Sequence, residues 1–336
     1  MGPVVCFGEV LLRLSARGRE RLLQSPELHV CIGGAEANVA VSLARFGTAS
    51  KMVSVLPDNR LGRHARDELR RHGVDTSGLL WSAGRMGLYF HTPGAVQLPS
   101  EVLYDRVGSA FDVASPDLIA WEELLGGAAR LHLSGVTPAL GAAAAEAALR
   151  AARVAVELGV PVSMDGNYRA KLWERWDGDH VTLLRELFGA ADIAFADERD
   201  MALVLGRTFA GDRAQQLTAA AGAAFEAFPK LAMLACTRRS QSSVDHHQLS
   251  ATLITREREI ASRRYDLHGV VDRIGAGDAF VAAFLHKSRS NGEPQRTLDF
   301  ALAAAVLKHS VPGDLNLVDE QEVESLLSRE GLHIRR

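Results

Sequence analysis

The chain has 336 residues with 47% hydrophobic and 24% charged side chains, and a net charge of −3. That balance suits a soluble globular protein with a sizeable core, and it excludes both a basic field for nucleic acid and a polybasic membrane patch. The length fits one large α/β domain over residues 1–336, with a small accessory piece rather than a second domain.

Val4 to Phe7 is a β-branched run closing on Gly8 and reads as a buried first strand. The opening residues lack a basic n-region and a long apolar core, so they are no signal peptide. Leu11 to Leu14 and His29 to Ile32 alternate apolar with polar, which predicts strands with one wet face. Ile32-Gly33-Gly34-Ala35-Glu36-Ala37-Asn38 then leads into an amphipathic helix closed by Gly47. A tight helix entry explains the glycine pair. Close approach of a polyhydroxylated ligand to Gly34, with Asn38 one turn on as donor and acceptor, explains it equally well.

Lys51 to Leu56 reads as a strand and Leu61 to His72 as a charged helix. Two alternating segments follow, Gly87 to Thr92 and Val102 to Val107. Their period of two puts Tyr104 and Arg106 on one face, with Tyr89 as a partner across the pair. The lid is therefore expected at about residues 10–32 and 86–108. A wet face carrying two tyrosines and an arginine suits a small anionic ligand; a solvated edge strand is the alternative.

From Leu131 the pattern becomes βαβα. Leu131 to Ser134 and Pro161 to Asp165 read as strands flanking a helix from Ala139 to Leu158. The tract Ala139 to Val160 is interrupted by Glu146, Arg150, Arg153 and Glu157, so it is not a membrane span. Arg169 lies in the loop after the second strand, where α/β ligand sites form, and can grip a carboxylate with two hydrogen bonds or remain solvated. After the strand Ala191 to Ala196, Asp197-Glu198-Arg199-Asp200 opens a helix. These acids fit the helix dipole, and Asp197 and Asp200 can also hold hydrated Mg2+. Leu231 to Cys236 reads as a strand ending in Thr237-Arg238-Arg239-Ser240, followed by a polar hairpin over residues 242–248. Helices are expected at Gln295 to His309 and Asp319 to Leu327, around the loop Pro312-Gly313-Asp314.

Between them, a β-leaning segment from Arg263 to Val271 runs into Asp272-Arg273-Ile274-Gly275-Ala276-Gly277-Asp278 and then an apolar helical run. Free N–H groups and the positive end of the dipole collect at such a turn, glycine lets an anion approach, and Asp278 offers a base beside it. That is what phosphoryl transfer to an alcohol needs. Taken alone, an aspartate capping the helix is the simpler reading. The segment is neither a Walker loop nor a Rossmann fingerprint. The twelve histidines are scattered, with His246-His247 the sole close pair, and show no metal-ligand spacing. Cys6, Cys31 and Cys236 read as reduced thiols of a cytoplasmic protein.

Taken together these segments resemble the ribokinase-like (PfkB) carbohydrate kinases over nearly the whole chain. Gly33 to Gly47 is similar to that family's N-terminal signature, and the turn ending at Asp278 to its C-terminal one. Within the family, Gly8-Glu9-Val10-Leu11-Leu12-Arg13-Leu14, Leu103-Tyr104-Asp105-Arg106, Asp165-Gly166-Asn167-Tyr168-Arg169 and Val271-Asp272-Arg273-Ile274-Gly275 resemble the 2-keto-3-deoxygluconate kinases. The resemblance implies a three-layer α/β/α domain with a mostly parallel central sheet and a small β-sheet lid. It implies Asp278 as base with Gly275, Ala276 and Gly277 as anion hole, and Leu11, Gly34, Asn38, Tyr89, Tyr104, Arg106 and Arg169 around a keto-acid. It implies ATP held by Asp197, Thr237, Arg238, Gly275 and Gly277, with Mg2+ at Asp197 and Asp200 through water, and leaves a monovalent cation open. The partners it implies are a sugar acid, ATP and a second copy joined through the lid.

Three departures stand out. Asp197-Glu198-Arg199-Asp200 replaces the family's Asn-x-x-Glu metal motif. Thr237-Arg238-Arg239-Ser240 replaces a Gly-rich strand end. Leu98 stands where a basic residue is expected. A kinase of a neutral sugar such as fructose or ribose is the competing expectation, with a non-catalytic sugar sensor behind it.

Overall fold

The computed structural model describes residues 2–244, 246–289 and 292–328. The first half contains β1 (Val4–Phe7), β2 (Leu11–Ser15), β3 (His29–Gly33), α1 (Ala35–Arg45), β4 (Ser50–Pro57), α2 (Arg60–Arg71), β5 (Leu79–Ser82), β6 (Gly87–Thr92), β7 (Glu101–Asp105), α3 (Trp121–Leu125), β8 (Arg130–Ser134) and α4 (Ala142–Glu157). The second contains β9 (Val162–Asp165), α5 (Ala170–Trp173), α6 (His180–Ala190), β10 (Ile193–Phe195), α7 (Glu198–Leu205), α8 (Arg213–Ala227), β11 (Met233–Ser243), β12 (His246–Thr255), β13 (Glu259–Ala261), β14 (Tyr265–His268), α9 (Ala276–Ser288), α10 (Pro294–Lys308) and α11 (Glu320–Leu327).

The large sheet runs β13-β12-β11-β10-β9-β8-β1-β4-β5, with β14 also on β12. Every pairing from β5 across to β11 is parallel; those made by β12 are antiparallel. The near-continuous apolar runs of β1 and β4 follow from that, because parallel strands are covered on both faces. Successive side chains of β1 enter opposite cores. Val5 and Phe7 pack with α4, α6, α7 and α8, whereas Val4 and Cys6 pack with α1, α9 and α10. The three expected layers are present.

A separate four-stranded sheet, β3-β2-β6-β7, carries the two expected lid insertions. Its register sets Tyr89 directly across from Tyr104. Three features differ from the expectations. The helix of the first βα unit begins at Ala142, after a single turn at Pro138–Leu140. Helix α8 and strand β5 fill stretches where periodicity is weak, and α6 fills one whose Leu183, Leu184, Leu187 and Phe188 lie at helical spacing. Strand β11 does not stop at Cys236 but continues to Ser243, because β12 pairs with it from Met233 outward. No helix among the described residues is long and apolar enough to cross a membrane.

Candidate active site

The parallel strands end at a cleft of about 560 Å3, closed on one side by the small sheet. Strand β2 contributes Leu11, the start of α1 contributes Gly34 and Asn38, and the lid contributes Tyr89, Tyr104 and Arg106. The loop after β9 adds Asp165, Asn167 and Arg169, and the start of α9 adds Gly275, Gly277 and Asp278. All seven residues expected around the sugar acid therefore meet the expected base in one space.

Gly275 is the N-cap of α9, with φ of 82°, and a Cβ there would fall 2.0 Å from the carbonyl oxygen of Asp314. Only glycine fits that turn. Having no side chain, it caps nothing; the Ala276 amide turns back to the Arg273 carbonyl at 3.3 Å, and the amides of Gly277 and Asp278 stay available to an anion. Asp278 is the third residue of the helix, and its Oδ2 accepts a hydrogen bond of 2.7 Å from Asn38 Nδ2. Burial raises its pKa to about 7. The Asn38 bond works against that shift, Asp314 and Glu36 add to it, and Arg169 opposes it. A carboxylate poised near neutrality is suited to take and return a proton. Asn38 Oδ1 is buried beside the base without a partner among the described residues.

The two arginines of the sugar end differ. Arg106 is buried, and its Nε donates to Glu9 Oε2 at 2.5 Å, while Ser109 Oγ donates to the other oxygen. Arg169 is exposed over the cleft and bonds only the Tyr168 carbonyl, at 3.4 Å. Tyr89 donates to both oxygens of Asp314, which also pairs with Arg13 at 3.0 Å. Leu98 is 57% exposed and lies outside the cleft lining.

Two further cavities adjoin the base. One of about 210 Å3 is lined by Asp165, Asp197, Asp200 and Thr237, and one of about 350 Å3 by Thr237, Arg239, Arg273 and Ala276. Gly277 belongs to all three spaces, so the anion turn is where they meet. Arg238 was expected on this side but points away, its Nη2 donating to the Arg213 carbonyl at 2.6 Å. The physical reason is strand period. Because β11 continues past Cys236, Arg238 and Arg239 face opposite sides, and Arg239 takes the cleft.

Asp197 lines the smaller cavity and has a structural task as well. It caps α7, accepting from the amides of Arg199 and Asp200, and it pairs with Arg199 at 2.5 Å. The carboxylates that fit a hydrated divalent cation are Asp200 and Asp165. Burial pushes Asp200 up to about 6, with Asp197 adding to it. Asp165 is raised well above the carboxylate range, first by burial and then by Asp278 and Asp200. Crowded oxygen donors of one charge are what a hard cation relieves. Among the described residues no group of three or more His, Cys, Asp or Glu side chains is arranged to hold a metal ion.

Asp165, Arg239, Arg273 and Asp314 line the cleft without having been singled out. Asp165 ends β9, Arg239 lies within β11, Arg273 sits in the turn before α9 and Asp314 in the loop after α10, and the signal for Asp165 was its place at the carboxyl edge of the sheet.

The chain matches the family model described as "pfkB family carbohydrate kinase" over residues 1–321. It is 35% identical to a 2-dehydro-3-deoxygalactonokinase of Haloferax volcanii, across 96% of both chains. The crystal structure of a 2-dehydro-3-deoxygluconokinase from Thermotoga maritima superposes with a TM-score of 0.92 at 36% identity, covering 98% of each chain. A putative 2-keto-3-deoxygluconate kinase from Enterococcus faecalis gives 0.91 at 27% identity, covering 100% of this chain and 99% of that one. With the base, the anion turn and the sheet topology already in place, these matches establish that the chain belongs to the pfkB family of carbohydrate kinases.

Proposed function

We propose that this kinase transfers the γ-phosphoryl group of ATP to the terminal hydroxyl of 2-keto-3-deoxygluconate, giving 2-keto-3-deoxy-6-phosphogluconate. The observation that carries this reading is the pairing of a near-neutral base, Asp278, with Arg106 and Arg169 in one cleft. The arginines grip the substrate carboxylate from the lid and the β9 loop, and this fixes which hydroxyl reaches the base. Asp278 takes the hydroxyl proton while the new P–O bond forms and the bond to the β-phosphate oxygen breaks. The amides of Gly277 and Asp278 receive the charge on the transferring group.

The nucleotide lies on the Thr237 and Gly277 side, where Arg239 and Arg273 face it without a carboxylate partner among the described residues. Asp200 and Asp165 would hold Mg2+, which would supply neutralisation of phosphate charge. The exposed apolar side chains Val30 and Leu103 on the outer face of the small sheet support assembly of two copies through the lid. The unpaired Cys6, Cys31 and Cys236 support a cytoplasmic location.

A coupled assay of ADP release over a panel tests the reading. The panel is 2-keto-3-deoxygluconate, its galactonate epimer, fructose and ribose. Turnover of one or both acids at a kcat/KM at least tenfold above the neutral sugars is expected. Equal or better turnover of fructose or ribose overturns it.

A further inference from the structure

Lys308 closes α10 and is 0% exposed. A buried ammonium normally finds a carboxylate, because an unpaired buried charge is costly. Lys308 instead donates to two backbone carbonyls, Val311 at 2.9 Å and Gly313 at 2.8 Å. The nearest acids are engaged elsewhere: Asp272 and Asp314 pair with Arg13 at 2.8 and 3.0 Å. Its stem packs on the anion turn, since a Cβ on Gly275 would meet Lys308 Cε at 3.3 Å. The same loop is tied to the turn twice more. Gly313 N donates to Asp272 Oδ2, and the Asp314 carbonyl lies against Gly275.

A cation in a cage of neutral carbonyls, directly behind an anion site, is the arrangement of a bound inorganic ion rather than of a salt bridge. We infer that Lys308 is a built-in monovalent cation. It is a positioning residue that locks the Asp272–Gly275 turn to the Val311–Asp314 loop. It also sets positive charge behind the amides that receive the phosphoryl group, so turnover needs no added potassium or sodium. The inference rests on the kinase reading above. Burial works to lower the Lys308 pKa, and Asp272 and Asp314 work to keep it charged.

The test compares wild type, Lys308→Met and Lys308→Ala in tetramethylammonium buffer, with and without added potassium or ammonium. Wild-type turnover should change by less than about twofold. Lys308→Met keeps the volume and removes the charge. It should lose about tenfold or more in kcat, with a smaller change in KM for the sugar acid. Lys308→Ala leaves room for an ion and should regain activity severalfold with ammonium or potassium, whereas the Met variant should not. A purely structural lysine would give no such ion dependence.

Wild type stimulated severalfold by potassium overturns the inference, and this arm needs no variant to fold. A Met variant with wild-type kcat also overturns it. If the wild type releases no ADP with any sugar, the kinase reading fails instead. Calorimetric ADP affinity then carries the decision on Lys308: weakening in the Met variant supports the assignment, and equal affinity refutes it.

Discussion

Helices α7 and α9 both open with an acid near a strand end, yet their N-termini do opposite things. At α7 the acid stands at the N-cap. Asp197 accepts from the amides of Arg199 and Asp200, and Asp200 returns a bond to the Asp197 amide at 3.0 Å. The free N–H groups of that helix are used up by the protein itself. At α9 the N-cap is Gly275 and the acid is the third helical residue, bonded across to Asn38 of α1. There the second and third amides stay open and the carboxylate faces the cleft. What separates a cap from a base is therefore the acid's position relative to the preceding glycine, not its presence.

The sharpest way to break this contrast is to change both acids to asparagine. Asp278→Asn should fold normally and lose about 10² to 10⁴ in kcat, the range for a general base. Asp197→Asn should keep kcat within about twofold, because asparagine caps as well as aspartate. Equal losses in steady-state assays would erase the distinction.

The pH dependence sharpens it further. With a pKa near 7 in the folded enzyme, Asp278 is ionised only above that pH. The kcat/KM should rise about tenfold per unit up to about 7 and then level off. The stability sign is the reverse. Between about 4 and 7 the native state holds a proton that the unfolded chain releases, so Asp278 makes the fold less stable as pH rises through this window. Below about 4 both states are protonated and the effect is absent. Asp278→Asn should therefore melt higher than wild type at pH 8, with the gain vanishing near pH 4. A Tm gain independent of pH would refute the raised pKa.

The two cleft arginines form a second, weaker contrast. Arg106 is half of a buried pair, so Arg106→Ala strands Glu9 and should cost about 3–5 kcal/mol of stability in denaturant titration. Arg169 has no acidic partner within salt-bridge distance among the described residues, so Arg169→Ala should leave the melting curve unchanged. It should raise KM for the sugar acid about 10- to 100-fold, the loss of about 1.5–3 kcal/mol for a charged hydrogen bond, with little effect on fructose. Equal effects on acid and neutral sugars would remove Arg169 from carboxylate binding.

Much of the frame was readable before any coordinates. The apolar runs of β1 and β4 announce a parallel sheet, alternation announces β2, β3, β6 and β7, and period two alone put Tyr104, Arg106 and Tyr89 on one surface. Other features depend on partners far along the chain. That Arg239 rather than Arg238 faces the cleft follows from β12 extending β11, a non-local pairing. That Arg106 is shared with Glu9 joins residues 97 apart. That Asp314 lines the site depends on a loop that Lys308, Asp272, Arg13 and Tyr89, all distant in sequence or on other elements, hold in place. Helix α8 escaped because its apolar positions are diluted by alanine, so no clear stripe marks it, whereas α6 carries Leu184, Leu187 and Phe188 at helical spacing and was legible.

The smallest expected effect bears on the α7 cap. Asp197→Ala removes both accepted amide bonds and frees Arg199, which is exposed. The exposed ion pair contributes little, so the cap dominates and the loss should be about 1 kcal/mol in denaturant titration. Asp197→Asn should recover most of that loss. If Asp197 also held the nucleotide or its metal, the alanine variant would raise KM for ATP well beyond twofold, and asparagine would not restore it. A stability loss rescued by asparagine, with KM for ATP unchanged, is the result expected of a carboxylate spent on its own helix.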